Sequence, residues 1–134
     1  MRSRILAGVL MFIGILAAGT FASSGANVAP DKQWALVNFS DVVRVNGNLL
    51  MGPYLVVHDN AKMARGEPCT TFYRFEPGKG PQESEATFMC KPVARTVCDK
   101  FTFSVVPDNS YLGIKRMTEF QFAGDSEGHG IPER

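Results

Sequence analysis

Two runs rich in β-branched residues, 35–45 (ALVNFSDVVRV) and 48–58 (NLLMGPYLVVH), are separated only by Asn46-Gly47. Asn-Gly is the dipeptide best able to hold φ > 0 at both centres of a type I′ turn, whose twist suits the strands it joins. The stretch therefore predicts a long antiparallel hairpin, with Gly52-Pro53 marking a bulge or bend in its second strand. Beyond the N-terminal run, no segment longer than about ten residues keeps a 3.6-residue apolar period, which leaves little room for helix. Further strands are expected at 70–75 (TTFYRF), 86–93 (ATFMCKPV), 101–106 (FTFSVV) and 111–122 (YLGIKRMTEFQF), with breaker-rich turns at 77–84 and 107–110. The pattern predicts an all-β fold, a small antiparallel β-sandwich or open barrel of about six strands. One helical turn is expected at 60–65, capped by Asp59 or Asn60 and closed by Gly66. Strand parity puts Phe88, Cys90, Phe101, Phe103, Val105, Phe120 and Phe122 in the core.

The first residues read differently. Arg2 and Arg4 precede an uncharged apolar run, 5–18, and small residues follow it. That order is a secretory signal peptide, and the run is short for a permanent span, which needs about 20 apolar residues. The expected organisation is a signal peptide at 1–22, a flexible N-terminal segment at 23–33, a β-domain at 34–123 and a coil tail at 124–134. The product would be secreted or periplasmic, with no stable membrane span after cleavage, and an envelope component fits. The chain carries 14 basic and 13 acidic residues. No single-sign block stands out, so there is no footprint for nucleic acid.

Export bears on the three cysteines, Cys69, Cys90 and Cys98, because an oxidising compartment favours a bonded pair. Cys69 and Cys90 lie symmetrically about Lys79-Gly80, so a regular hairpin would set them across from each other as a disulfide. Cys90–Cys98 is the rival pairing, and the third cysteine would be free or would bond another chain. The competing use of these residues is a metal site. His58, Met63, Cys69, Cys90, Cys98 and His129 are the donors that copper or zinc would select. Their spacing matches no C-x-x-C, H-E-x-x-H or H-x-x-x-H pattern, and the plainer reading makes His58 a strand end and Met63 a core filler.

Catalysis finds less support. Cys69 as nucleophile would need His58 as base and Asp59 to orient it, yet adjacent strand residues point to opposite faces. No G-x-S-x-G elbow, phosphate loop or dinucleotide fingerprint occurs, so no catalytic residue is assigned. The segment 57–69 reads as a connector that places its polar groups at one end of the sheet. The acidic tail around Asp125, Glu127 and His129 is expected to fold back against Lys62 and Arg65. If a ligand site exists, it belongs at that end, with His58 and His129.

The segments VNGNLLMGPYLVVHD, KMARGEPCTTFY and TEFQFAGDSEGHGIP resemble small secreted proteins of soil bacteria, acidobacterial in style, a group without an assigned activity or cofactor. The strand followed by L-x-x-G-x-Y-x-V is also similar to the first hairpin of transthyretin-like envelope β-sandwich modules. Both resemblances imply a secreted β-domain and neither carries a site residue. The function expected is that of a binding or structural envelope protein. The alternative is a periplasmic copper- or zinc-binding protein using His, Met and Cys ligands.

Overall fold

The computed structural model describes residues 31–109 and 113–134. The expected signal peptide, most of the 23–33 segment and the start of the expected last strand lie outside the described residues.

The chain is all-β, as its alternation predicts, and its sheet is larger and less regular than expected. Eight strands form among the described residues: β1 (Lys32–Val45), β2 (Asn48–Asp59), β3 (Thr70–Glu76), β4 (Gly80–Phe88), β5 (Lys91–Ala94), β6 (Thr102–Pro107), β7 (Lys115–Gln121) and β8 (Glu127–Gly130). The hairpin β1–β2 turns at Asn46 (φ 46°) and Gly47 (φ 85°), the left-handed pair that Asn-Gly supplies. Opposite Gly52 the register slips between Phe39 and Val43, so β1 bulges and bends there. A short helix, α1 (Asn60–Ala64), follows β2. The Asp59 carboxylate caps it by accepting hydrogen bonds from the backbone N–H groups of Ala61 and Lys62, at 3.0 and 3.2 Å.

The expected count of six strands fails at two places. Residues 86–93 are not one strand: β4 ends at Phe88, and β5 starts at Lys91 in a different part of the sheet. The expected coil at 124–134 contains β8, which inserts between β5 and β7. The sheet is also not purely antiparallel. Where β1 meets β7 the strands run parallel, pairing Val43 with Lys115 and Arg44 with Arg116.

The sheet therefore has two wings, a β4-β3-β2-β1 meander and a β5–β8 group, hydrogen-bonded through β1 and β7. It curls into a half-barrel whose wings face each other across the core. Phe72 of β3 meets Phe120 of β7 edge-on, with ring centroids 6.0 Å apart. Tyr54, Val56, Leu50, Met117 and Phe122 fill the space around them. Phe103 is a correction. It is 39% exposed, because β6 has β7 alone as a partner and the ring leans on Phe39 at the rim. Phe101 and Val105 are half-buried at the same margin. On the outer face of β1–β3, Trp34, Leu36, Leu55, Val57 and Phe75 line a shallow groove of about 440 Å³. No helix among the described residues is long and apolar enough to cross a membrane.

Candidate metal centre

The two wings are connected at one end by two residues, Met89-Cys90, and the titratable groups gather at this seam. β2 delivers His58 at its last inward position, paired with Gln33 of β1 and Thr70 of β3. Cys69 immediately precedes β3, and its backbone N–H donates to the Phe88 carbonyl at the end of β4 (3.2 Å). Cys90 lies two residues beyond β4. β8 brings in His129, held between Pro92 of β5 and Phe120 of β7. Gly128 precedes it because the Arg95–Glu119 ion pair crosses the strand there: a Cβ would come within 2.6 Å of a Glu119 carboxylate oxygen.

The geometry is close. The sulfurs of Cys69 and Cys90 are 3.3 Å apart. Cys90 Sγ is 3.4 Å from His129 Nδ1. One nitrogen of His58 and the two sulfurs all lie within 4.8 Å of one another. The His58 and His129 ring centroids are 4.3 Å apart. Both histidines are fully buried, at 0% exposure, and Phe120 stacks on His129 at 5.1 Å while Phe122 meets it edge-on.

Burial sets the electrostatics. Desolvation, reinforced by the neighbouring His129, pushes the His58 imidazole down to about 4. His129 is lowered too, by burial first, against the opposing pull of Glu127 and Asp125. Burial and a hydrogen bond with Cys69 push the Cys90 thiol up to about 12. An activated nucleophile needs the reverse, since the thiolate is the reactive form. Asp59 faces away and caps α1, so it does not orient His58.

Three buried side chains keep polar atoms without a hydrogen-bond partner among the described residues: Gln33 at Oε1, His129 at Nε2 and His58. Neither nitrogen of His58 has a hydrogen-bond partner among the described residues, although both are buried. An unsatisfied buried polar group costs about 1–3 kcal/mol, and an imidazole beside two thiols has a natural remedy in a shared cation. Bonds of about 2.3 Å to sulfur and 2.0–2.1 Å to nitrogen place tetrahedral ligand atoms about 3.3–3.8 Å apart; here the two sulfurs are 3.3 Å apart, Cys90 Sγ and His129 Nδ1 3.4 Å, and His58 lies within 4.8 Å of both sulfurs. His129 supports the same reading. Its Nδ1 faces Cys90, and its Nε2 lies 3.6 Å from an Asp125 carboxylate oxygen. At that distance Asp125 attracts the ring without accepting a hydrogen bond from it, and a closer approach would fix the tautomer that presents Nδ1 to a metal. Asp125 is itself held by Gln33, whose Nε2 donates to it at 3.0 Å, and by the Glu127 N–H.

Of the six candidate donors, His58, Cys69 and Cys90 converge, and His129 borders them through Cys90 and the His58 ring. Met63 is half-buried on α1 and packs against the core. Cys98 is not part of the cluster and donates its S–H to the Phe122 carbonyl (3.4 Å). The Cys69–Cys90 pair expected as a disulfide meets as two thiols, since a bond requires about 2.05 Å between sulfurs. The tail does fold back, with a different result from the one expected: Asp125 turns to His129 and Gln33, while Arg65 pairs with Glu67. The supporting pair Asp125 and Gln33 carried no sequence signal, because nothing local connects residue 33 to residue 125. Compared with known protein families, curated proteins and solved structures, the chain finds no match.

Proposed function

We propose that this β-domain binds one thiophilic ion, zinc(II) or copper(I), through His58, Cys69, Cys90 and His129. The observation that carries the reading is the buried His58 imidazole, without a partner at either nitrogen and within 4.8 Å of two thiols. Two thiolates and two imidazoles suit both ions, and four protein donors make a closed site, the type that holds a metal rather than one that exposes it to substrate. The ion would replace the protons of Cys69 and Cys90, leave Asp125 behind His129, and tie the two wings together. The N-terminal signal pattern of the sequence supports export as part of this reading, with the site acting in the periplasm or outside the cell.

The test is metal titration of the reduced full chain, purified without chelators. One ion per chain is expected, with binding lost in Cys69→Ser and Cys90→Ser and retained in Cys98→Ser. Sub-stoichiometric uptake, or binding that survives in the Cys69→Ser, Cys90→Ser double variant, rejects the proposal.

A second reading, a binding or structural module of the envelope, draws on the outer face instead. There Trp34 is 67% and Leu36 52% exposed above the apolar groove. Trp34 is the single tryptophan of the chain, so its fluorescence reports directly on that face. A Trp34 response to envelope extract, with no metal uptake, favours this reading.

A further inference from the structure

The thiols that would hold the ion are also placed to bond with each other. We propose that Cys69 and Cys90 form a reversible disulfide that expels the ion, so that the seam is a metal site gated by oxidation; the inference rests on the metal-binding reading above.

Four features carry it. The sulfurs are 3.3 Å apart, so closing to a disulfide's 2.05 Å asks for a shift of about 1.2 Å. Both cysteines stand just outside the regular ladder, whose last pair is Thr70 with Phe88, so the shift breaks no strand pairing. Their backbones are nonetheless held as neighbours: the Cys69 N–H donates to Phe88, and the Cys90 N–H reaches Cys69 Sγ at 3.4 Å. The third cysteine is occupied elsewhere, with its S–H on the Phe122 carbonyl, so the pair has no thiol competitor at the seam.

The chemistry is a two-electron exchange. With a peroxide as oxidant, the two thiolates give up two electrons and an S–S bond forms. The O–O bond breaks, and with two protons the peroxide leaves as two hydroxyl products, water in the case of hydrogen peroxide. The ion keeps His58 and His129 alone, without either anionic ligand, and departs. A dithiol reductant reverses the step: it becomes a disulfide, and its two electrons and two protons restore the Cys69 and Cys90 thiols. Outside the cytoplasm the oxidised form is favoured, so loading there would depend on reductant.

The experiment uses the zinc-loaded full chain, treated with hydrogen peroxide in the presence of a chromophoric zinc chelator. The expected result is release of the bound ion together with a Cys69–Cys90 linked peptide in unreduced mass mapping. Dithiol treatment should then restore zinc uptake, and Cys98→Ser should behave as the parent does. Retention of zinc under peroxide overturns the inference and leaves the metal-binding reading intact. Release with Cys69 and Cys90 separately oxidised, or with a link through Cys98, overturns it in the same way. A reduced chain that takes up no zinc at all fails at the earlier step and overturns both.

Discussion

His58 is the residue on which the chemistry turns, and its burial has a consequence in the metal-free protein. In the unfolded chain the imidazole takes a proton near its ordinary value of 6.5, whereas the folded domain resists protonation down to about 4. Between those two values the unfolded state binds more protons, so stability falls as pH falls. His129 acts in the same direction. Cys90 works at the other end. Its thiol ionises at 9.0 when free and at about 12 when folded, so stability falls again as pH rises through that range. The metal-free domain should therefore be most stable between these windows, with His58 contributing an acid loss of about 3 kcal/mol when fully titrated. Urea unfolding at pH 7 and at pH 4.5 measures this, and His58→Leu should flatten the acid limb. An acid limb as steep in that variant as in the parent would place the titration elsewhere. The sequence shows that residue 58 is a histidine at a strand end. Its burial comes from strands that close over it from residues 33, 70 and 129.

Among the elements, the short link Met89-Cys90 has the largest effect on the site. Inserting Gly-Gly between Met89 and Cys90 should free Cys90 from Cys69 and His129 while the β1–β4 meander stays paired. Loop entropy is not the obstacle, since a small insertion costs only tenths of a kcal/mol. The expected outcome is an unchanged far-ultraviolet spectrum with metal uptake lost; retained stoichiometric uptake would show that Cys90 is not a ligand. The link also hides from side-chain period. Ala86, Phe88 and Cys90 are all buried, so the inward alternation of β4 runs on through the break. Periodicity alone makes 86–93 one strand. β8 is the opposite case, since Glu127-Gly128-His129-Gly130 has the composition of coil and pairs because β5 and β7 offer open edges on both sides. The β1–β2 hairpin and α1 were legible because their signals, Asn46-Gly47 and Asp59 with Gly66, act within a few residues of where they are read.

Across the whole molecule, the four donors span both wings: His58 and Cys69 on the meander, His129 on the β5–β8 group, and Cys90 on the link. An ion bound there, as proposed, would tie the half-barrel at the end opposed to the single parallel contact of β1 with β7. Binding only to the folded state, it should stabilise by about 4 kcal/mol at a thousandfold excess over Kd. For a domain of this size each kcal/mol is worth roughly 4–8 °C. Chelation should accordingly lower Tm by more than 10 °C in the parent and leave the Cys69→Ser, Cys90→Ser variant unmoved. An equal drop in both would mean that the chelator acts elsewhere. What the sequence by itself determined is the β character, the first hairpin, the capped turn after β2 and a set of candidate metal donors. Each of these rests on side-chain period or on contacts a few residues long. The tertiary structure alone decided the wing arrangement, the break at Met89-Cys90, the burial of both histidines and their convergence with two of the three thiols. Those depend on pairings between residues as distant as Gln33 and Asp125, and chain closure over such separations leaves no mark in local composition.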